Sequence, residues 1–255
     1  MLEPIAVPAL ADNYVWLIRQ PESTACAVVD PGEAEPVLAA IDARGLEPTA
    51  ILITHRHPDH VGGLEAVRQR WPDVPVYGPA GEPVAGMDHA LDDGDRLEAL
   101  DTVFDVIATP GHTRGHIVYH GGGLLLSGDT LFAGGCGRVF EGTAAQMAAS
   151  LARLAALPAA TRGCCGHEYT LANLAFARAV EPGNAALAER ERRVHALREA
   201  GEPSVPFELG EELATNPFLR CDEPTVRAAA EARAGRTLGG RDEVFAVIRE
   251  WKNAF

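Results

Sequence analysis

Ala50-Ile51-Leu52-Ile53-Thr54-His55-Arg56-His57-Pro58-Asp59-His60 is the stretch on which the fold turns. Its four leading residues read as a buried strand, and the chain then delivers three histidines and an aspartate on one short loop. Imidazole and carboxylate groups cost free energy to bury unless they are hydrogen-bonded or bound to an ion, so such a cluster has no packing rationale. Outward from it, glycine-marked turns add one candidate each: Thr109-Pro110-Gly111-His112, Ser127-Gly128-Asp129-Thr130 and Cys165-Gly166-His167-Glu168.

Three nitrogen ligands hold one divalent ion and leave a position at which water becomes a nucleophile at neutral pH. The seven candidates are too many for one tetrahedral ion and suffice for two ions sharing a carboxylate, which points to a dinuclear hydrolase. His55 and His57 are two apart, so an extended backbone turns both to one side and toward one ion. Asp59 and His60 are adjacent and suit a second ion. Asp129 offers two oxygens for bridging, with His112 completing the first site and His167 the second. His116, four residues past His112, reads as a partner behind the ligands, whereas His89, His120 and His195 read as ordinary surface or core histidines.

The chain of 255 residues is long enough for one large domain, or one domain and a smaller one. Hydrophobic residues make up 47% and charged residues 23%, as in ordinary globular proteins. The net charge of -14 argues against nucleic acid, whose binding rests on Lys and Arg, but leaves room for a small anion at a local basic cluster. No apolar run reaches the roughly 18 residues of a membrane helix, and no secretion signal is visible, so a cytoplasmic location without membrane attachment is expected. The five cysteines show no paired spacing and read as reduced thiols. Cys165 with His167 as a nucleophilic pair is the weaker reading, because His167 is better used as a ligand.

Short strands broken by Gly and Pro are expected at Tyr14–Ile18, Ala25–Asp30, Ala50–Ile53, Val103–Ala108, Ile117–Tyr119 and Leu124–Leu126. Helices are expected at Glu35–Arg44 and Gly62–Arg70. The strands ending at Ile53, Ala108 and Leu126 each lead to a ligand candidate, so loops at one sheet edge gather the metals. From about residue 167 the pattern is helical: Leu171–Val180, Ala185–Glu199, Pro224–Ala234 and Asp242–Lys252. An α/β domain over 1–167 and a helical domain over 168–255 are the expected organisation.

The Thr-His-X-His-X-Asp-His run, with Pro-Gly-His-Thr, Gly-Asp-Thr-Leu-Phe and Cys-Gly-His-Glu-Tyr-Thr, resembles the metallo-β-lactamase superfamily. Stretches that metal binding alone does not require narrow this to the hydroxyacylglutathione hydrolase (glyoxalase II) family: Ala133–Thr143, Gly166–Asn173, Val180–Asn184, Thr215–Arg220 and Arg249–Lys252. The resemblance runs from Asp12 to the last residues and implies an αββα sandwich with a helical C-terminal domain. It places one metal on His55, His57 and His112, the other on Asp59, His60 and His167, and Asp129 between them. Zinc is the usual ion in the family, with iron and manganese also found, and nitrogen and oxygen ligands discriminate poorly among them.

The implied activity is hydrolysis of S-D-lactoylglutathione to D-lactate and glutathione by hydroxide held between the ions, the second step of methylglyoxal removal. Asp59 or Asp129 orients the hydroxide, and Asp30 stands behind. Glutathione contacts map onto Arg138, Phe140, Tyr169, Asn173, Arg249 and Lys252, the chain's sole lysine. Arg249 and Lys252 lie one helical turn apart and can share a cationic face, although a solvated helix end reads the same way. Phe140 stands where some relatives have tyrosine, which removes one hydrogen bond worth about 0.5–1.5 kcal/mol. The partner expected is a small glutathione thioester, and the chain is expected to act as a monomer. The alternative is a persulfide dioxygenase with a single iron. A nuclease and a β-lactamase fit less well, for want of a basic arm and of a secretion signal, and a metal-free binding protein fits least with all seven ligands present.

Overall fold

The computed structural model describes residues 1–255. Its first sheet runs in spatial order through β1 (Glu3–Ala9), β2 (Asn13–Arg19), β3 (Ala25–Val29), β4 (Glu47–Leu52), β5 (Val76–Pro79) and β6 (His89–Leu91). The first three strands pair antiparallel and the rest parallel, with α1 (Ala34–Arg44), α2 (Pro58–Val61) and α3 (Leu64–Arg70) in the connections.

The second sheet contains β7 (Arg96–Ala99), β8 (Thr102–Ala108), β9 (Ile117–Gly121) and β10 (Leu124–Gly128). A small hairpin of β11 (Leu131–Phe132) and β12 (Gly135–Cys136) precedes α4 (Ala144–Ala155), and β13 (Arg162–Cys165) then pairs parallel with β10. The chain continues through α5 (Thr170–Val180), α6 (Ala185–Glu199), β14 (Phe207–Glu208), α7 (Leu209–Thr215), α8 (Pro224–Ala234) and α9 (Arg241–Asn253). Strand β14 pairs antiparallel with β13, so the helical region returns one short strand to the second sheet.

Alternation along the strands explains why two sheets stack. On β2, Tyr14, Trp16 and Ile18 enter the large core between the sheets, whereas Val15 and Leu17 face the smaller core. That smaller core is closed by Val37 and Ile41 of α1 and by Leu64 and Val67 of α3. Strand β4 divides in the same way, with Ala50 and Leu52 inward and Ile51 outward. A strand buried on both faces reads as a continuous apolar run, and such a sheet needs a layer on each side. Helix α4 covers the second sheet with Met147, Leu151 and Leu154, and α9 joins the same core through Val244, Phe245 and Ile248. The result is the αββα sandwich with a helical C-terminal region. No helix is long and apolar enough to cross a membrane.

Several elements differ from the sequence reading. The segment expected as one helix over Gly62–Arg70 begins at Leu64, behind the separate turn α2 that carries Asp59 and His60. Strands β1, β5, β6, β7, β11, β12, β13 and β14 and helices α4 and α7 were not expected. Helix α4 opens with a capping box, in which Thr143 Oγ1 accepts from Gln146 N at 3.1 Å and Gln146 Oε1 accepts from Thr143 N at 2.8 Å. That signal is legible in Thr143-Ala144-Ala145-Gln146.

Candidate metal centre

Strands β4, β8, β10 and β13 end on the same side of the sandwich, and the ligand candidates occupy the segments that follow them. Glycine permits the close approach. At Gly128, φ is +46° and a Cβ would lie 2.4 Å from Thr54 Oγ1. At Gly166 a Cβ would lie 2.5 Å from Asp129 Oδ1 and 2.6 Å from His60 Cε1.

All seven candidates meet there. His55, His57 and His112 bring ligand atoms within 4.8 Å of one another, as do Asp59, His60 and His167. In the first group His55 Nε2 is 3.1 Å and His112 Nε2 3.0 Å from His57 Nδ1. In the second, Asp59 Oδ2 is 3.5 Å from His60 Nε2 and 3.3 Å from His167 Nε2. Asp129 stands between the groups: Oδ2 lies 3.4 Å from His112 Nε2 and 3.3 Å from His167 Nε2, and Oδ1 lies 3.3 Å from His60 Nε2. Asp30, His55 and His60 form a third close set. Asp30 is already committed behind the site, accepting from Thr54 N and Thr54 Oγ1, each at 2.7 Å.

Four of the five rings are oriented from behind, His57 being the exception. His55 Nδ1 meets Thr54 Oγ1 at 3.0 Å, and His112 Nδ1 meets the Arg138 carbonyl at 2.9 Å. His60 Nδ1 meets Asp30 Oδ2 at 3.0 Å, and His167 Nδ1 meets Asp12 Oδ1 at 2.8 Å. Such partners fix the tautomer that turns the other nitrogen toward an ion. His116 is buried behind the ligands, its ring stacked on His55 at 4.8 Å. Glu82, also buried, accepts from Arg56 N at 2.8 Å and Gly115 N at 3.0 Å, pinning the two ligand loops together.

The charge distribution divides the two groups. Burial lowers the basicity of His55 and His112. Burial also works against protonation of His60 and His167, but the carboxylates overcome it, raising His60 well above its ordinary value and His167 to about 10. Hydrogen bonding from His167 holds Asp59 below its usual range. Burial disfavours the Asp129 anion, and the charges and hydrogen bonds of His60 and His167 outweigh it, so Asp129 is also lowered. Yet His60 Nε2 and Asp129 Oδ1, both buried, lack a well-formed hydrogen-bond partner. Donor atoms held inward without partners, in a set of imidazoles and carboxylates, fit divalent ions.

A cavity of about 490 Å³ opens on this cluster, lined by His57, Asp59, His112, Asp129 and His167 and by all six expected substrate contacts. Phe140 is largely exposed, its ring 5.2 Å from that of His112. Tyr169 stacks on His167 with ring centroids 4.6 Å apart and planes 7° from parallel. Asn173 is buried and donates to the Ala133 carbonyl at 3.1 Å. Arg249 and Lys252 are not a solvated helix face. Arg249 is buried and donates to the Cys136 carbonyl at 2.9 Å, leaving its Nε unpartnered, and Lys252 Nζ donates to the Ala172 carbonyl at 2.8 Å. Cys165 is no nucleophile, since burial pushes its thiol up to about 12 and its Sγ contacts the His167 carbonyl.

Sequence reasoning missed Asp12, Asn13, Thr54 and Glu82. Asn13 Nδ2 donates to Asp59 Oδ2 at 3.0 Å, so the β1–β2 turn supplies partners to both Asp59 and His167. No local spacing distinguishes Asp12 or Glu82 from other acidic residues, because their partners lie far along the chain.

Comparison with known proteins agrees with this geometry. Residues 10–167 match the model of the metallo-β-lactamase superfamily, and residues 168–255 match that of the hydroxyacylglutathione hydrolase C-terminus. The hydroxyacylglutathione hydrolase of Alkalilimnicola ehrlichii is 55% identical over 255 residues, covering 99% of both chains. That of Xanthomonas axonopodis pv. citri is 53% identical over 251 residues, covering 98% of both. Among solved structures, the BLEG-1 B3 metallo-β-lactamase superposes with a TM-score of 0.63 at 26% identity, covering 86% of this chain and 99% of its own. With both family models matched end to end and relatives above half identity across the whole length, the chain belongs to the hydroxyacylglutathione hydrolase family of the metallo-β-lactamase superfamily.

Proposed function

We propose that the protein hydrolyses glutathione thioesters of 2-hydroxy acids, S-D-lactoylglutathione foremost, releasing glutathione and D-lactate as the second step of methylglyoxal removal. One observation carries this: a single cavity joins the His57, His112 and Asp129 end to the cationic Arg249 and Lys252 end. A glutathione thioester needs both, a hydrolytic centre at its carbonyl and positive charge at its peptide carboxylates.

His55, His57 and His112 would hold one divalent ion and Asp59, His60 and His167 the other, with Asp129 shared; we assign zinc. Such ions, when bound, supply Lewis acidity toward the carbonyl and activation of water. The chain's own residues do the rest. Asp12, Asp30, Thr54 and the Arg138 carbonyl hold the imidazoles in register, and Asp59 and Asp129 orient the water. Lys252 and Arg249 draw in the substrate's carboxylate, while Arg138, Phe140, Tyr169 and Asn173 border its peptide. The thiolate leaves without a strong general acid because thiols are far more acidic than alcohols.

Residues 1–167 are proposed as the catalytic unit and 168–255 as the substrate-binding unit. A single chain carries every residue invoked, so a monomer suffices. Five free buried cysteines fit a reducing compartment, and we place the protein in the cytoplasm. The deciding experiment is hydrolysis of S-D-lactoylglutathione with metal content measured on the same sample. Turnover with two ions per chain supports the reading. Absent hydrolysis, one iron and oxygen uptake with glutathione persulfide would replace it with the dioxygenase.

A further inference from the structure

The hairpin β11–β12 lines the cavity through Phe132 and Cys136, and the Cys136 carbonyl holds Arg249. Its turn, Ala133-Gly134, projects away from the catalytic sheets into the helical region, with Gly134 at φ +70°. The backbone groups of this hairpin are gripped there by buried side chains. Glu212 Oε2 accepts from Gly134 N at 2.8 Å. Asn216 Nδ2 donates to the Gly135 carbonyl at 3.0 Å and to Glu212 Oε2 at 2.9 Å. Asn173 Nδ2 takes the Ala133 carbonyl at 3.1 Å. The other carboxylate oxygen of Glu212 pairs with Arg190, whose Nη1 donates to Thr215 Oγ1 at 2.7 Å. Glu212 and Asn216 are wholly buried, and Arg190 is 2% exposed.

An ion pair buried to this degree is a poor source of stability, because desolvation offsets its attraction and apolar replacement is often neutral or favourable. What Glu212 does beyond pairing is to hold the Gly134 amide. We infer that Glu212 is a positioning residue for substrate affinity: by fixing Gly134 it sets the hairpin, and through the Cys136 carbonyl it sets where Arg249 stands in the cavity. The catalytic end is anchored separately on both strands, since Ser127 Oγ donates to the Leu131 carbonyl at 2.8 Å and Gly137 N, just before the Arg138 carbonyl behind His112, donates to the Thr130 carbonyl at 3.2 Å. Loss of the Glu212 grip therefore loosens the cation end and spares the ligand cluster. This role rests on the thioesterase reading of the cavity.

Two double variants of the metal-loaded protein separate positioning from charge pairing. Arg190→Met/Glu212→Leu removes the pair and the acceptor for Gly134, whereas Arg190→Met/Glu212→Gln removes the pair and keeps an amide oxygen. The leucine variant is expected to raise KM about tenfold, with kcat within about twofold and metal content unchanged. The glutamine variant is expected to return KM to the parental value. Asn216→Leu, which leaves the ion pair intact, is expected to raise KM in the same direction should the leucine double variant fail to fold. Amide exchange at Gly134 reads the hairpin without substrate, with protection lost in the leucine variant and kept in the glutamine variant. A parental KM in the leucine variant or Asn216→Leu, equal impairment of both double variants, or unchanged Gly134 protection overturns the inference. A parent that hydrolyses no glutathione thioester overturns the thioesterase reading instead, and the exchange data still decide whether Glu212 holds the hairpin.

Discussion

His116 Nε2 accepts a hydrogen bond from the backbone N–H of Asp129 at 3.1 Å, although His116 belongs to neither ligand group. Its Nδ1 faces the hydroxyls of Thr109 and Thr130 at 3.0 and 3.1 Å, so the proton sits on that side and Nε2 is free to accept. Burial lowers the pKa of the ring well below its ordinary value, which keeps this neutral tautomer in place. The carboxylate between the two groups is thus aimed through its own backbone. His116→Ala leaves the buried Asp129 N–H without a partner, at a cost of about 1–3 kcal/mol in unfolding free energy. Metal affinity should fall about 10–100-fold. Denaturant titration and competition with a chromogenic chelator measure both, and unchanged metal affinity would contradict the role.

Asp129→Ala removes the carboxylate whose two oxygens reach His112, His60 and His167. We expect fewer than two ions per chain by elemental analysis and loss of turnover. A variant retaining both ions and full activity would refute the shared position.

Metal binding at the second group should expel protons. Without an ion the surrounding carboxylates raise His167 to about 10 and lift His60 above its ordinary value, so both rings favour the protonated form. A ligating imidazole must be neutral, so affinity rises as pH climbs toward the folded-state pKa of His167. Calorimetry in buffers of different ionisation enthalpy should show net proton release at pH 7. Zero release would mean that the rings are already neutral.

Lys252 governs a different pH window. Burial and the neighbouring Arg249 lower its pKa from 10.5 to about 8. The charge that attracts a carboxylate is present below that pH and lost above it, so KM should rise about tenfold between pH 7 and 9 while kcat changes little. Lys252→Arg keeps its charge throughout and should flatten the profile. Folding responds with the opposite sign, because between about pH 8 and 10.5 the unfolded chain binds more protons and stability rises with pH. A pH-independent KM in the parent would remove Lys252 from substrate binding.

Asp12→Ala tests a residue that local sequence patterns conceal. Deleting the carboxylate that holds His167 Nδ1 should weaken metal binding at the second group about 10–100-fold and spare the first, whose rings lean on Thr54 and the Arg138 carbonyl. Stepwise chelation monitored by metal content distinguishes this from uniform loss.

These contrasts show what a one-dimensional reading captures. The ligands were legible because their chemistry is local: three histidines and an aspartate packed into His55–His60 announce themselves. Strands buried on both faces were legible as apolar runs, as in Ala50–Ile53. Asp12, Glu82 and Glu212 were not, since each acts across a fold-level distance on a backbone or ring that no spacing rule reaches. Helix α4, though not expected, was equally legible: Met147, Leu151 and Leu154 form a clear apolar stripe behind the Thr143–Gln146 capping box. Arg249 was placed on a cationic helix face with Lys252, and its burial against the Cys136 carbonyl was not foreseen, because periodicity places a residue on a helix without saying what covers it.

The β1–β2 turn is stitched to the last ligand. Tyr14 N donates to the Gly166 carbonyl and Glu168 N to the Asp12 carbonyl, each at 2.8 Å. During synthesis the first three-histidine group is complete in sequence once residue 112 has emerged. The second must wait for residue 167, and for an N-terminal turn made at the outset to find it. The two groups are thus completed at different moments of synthesis, and the second closes the first turn of the chain onto one of its later strands.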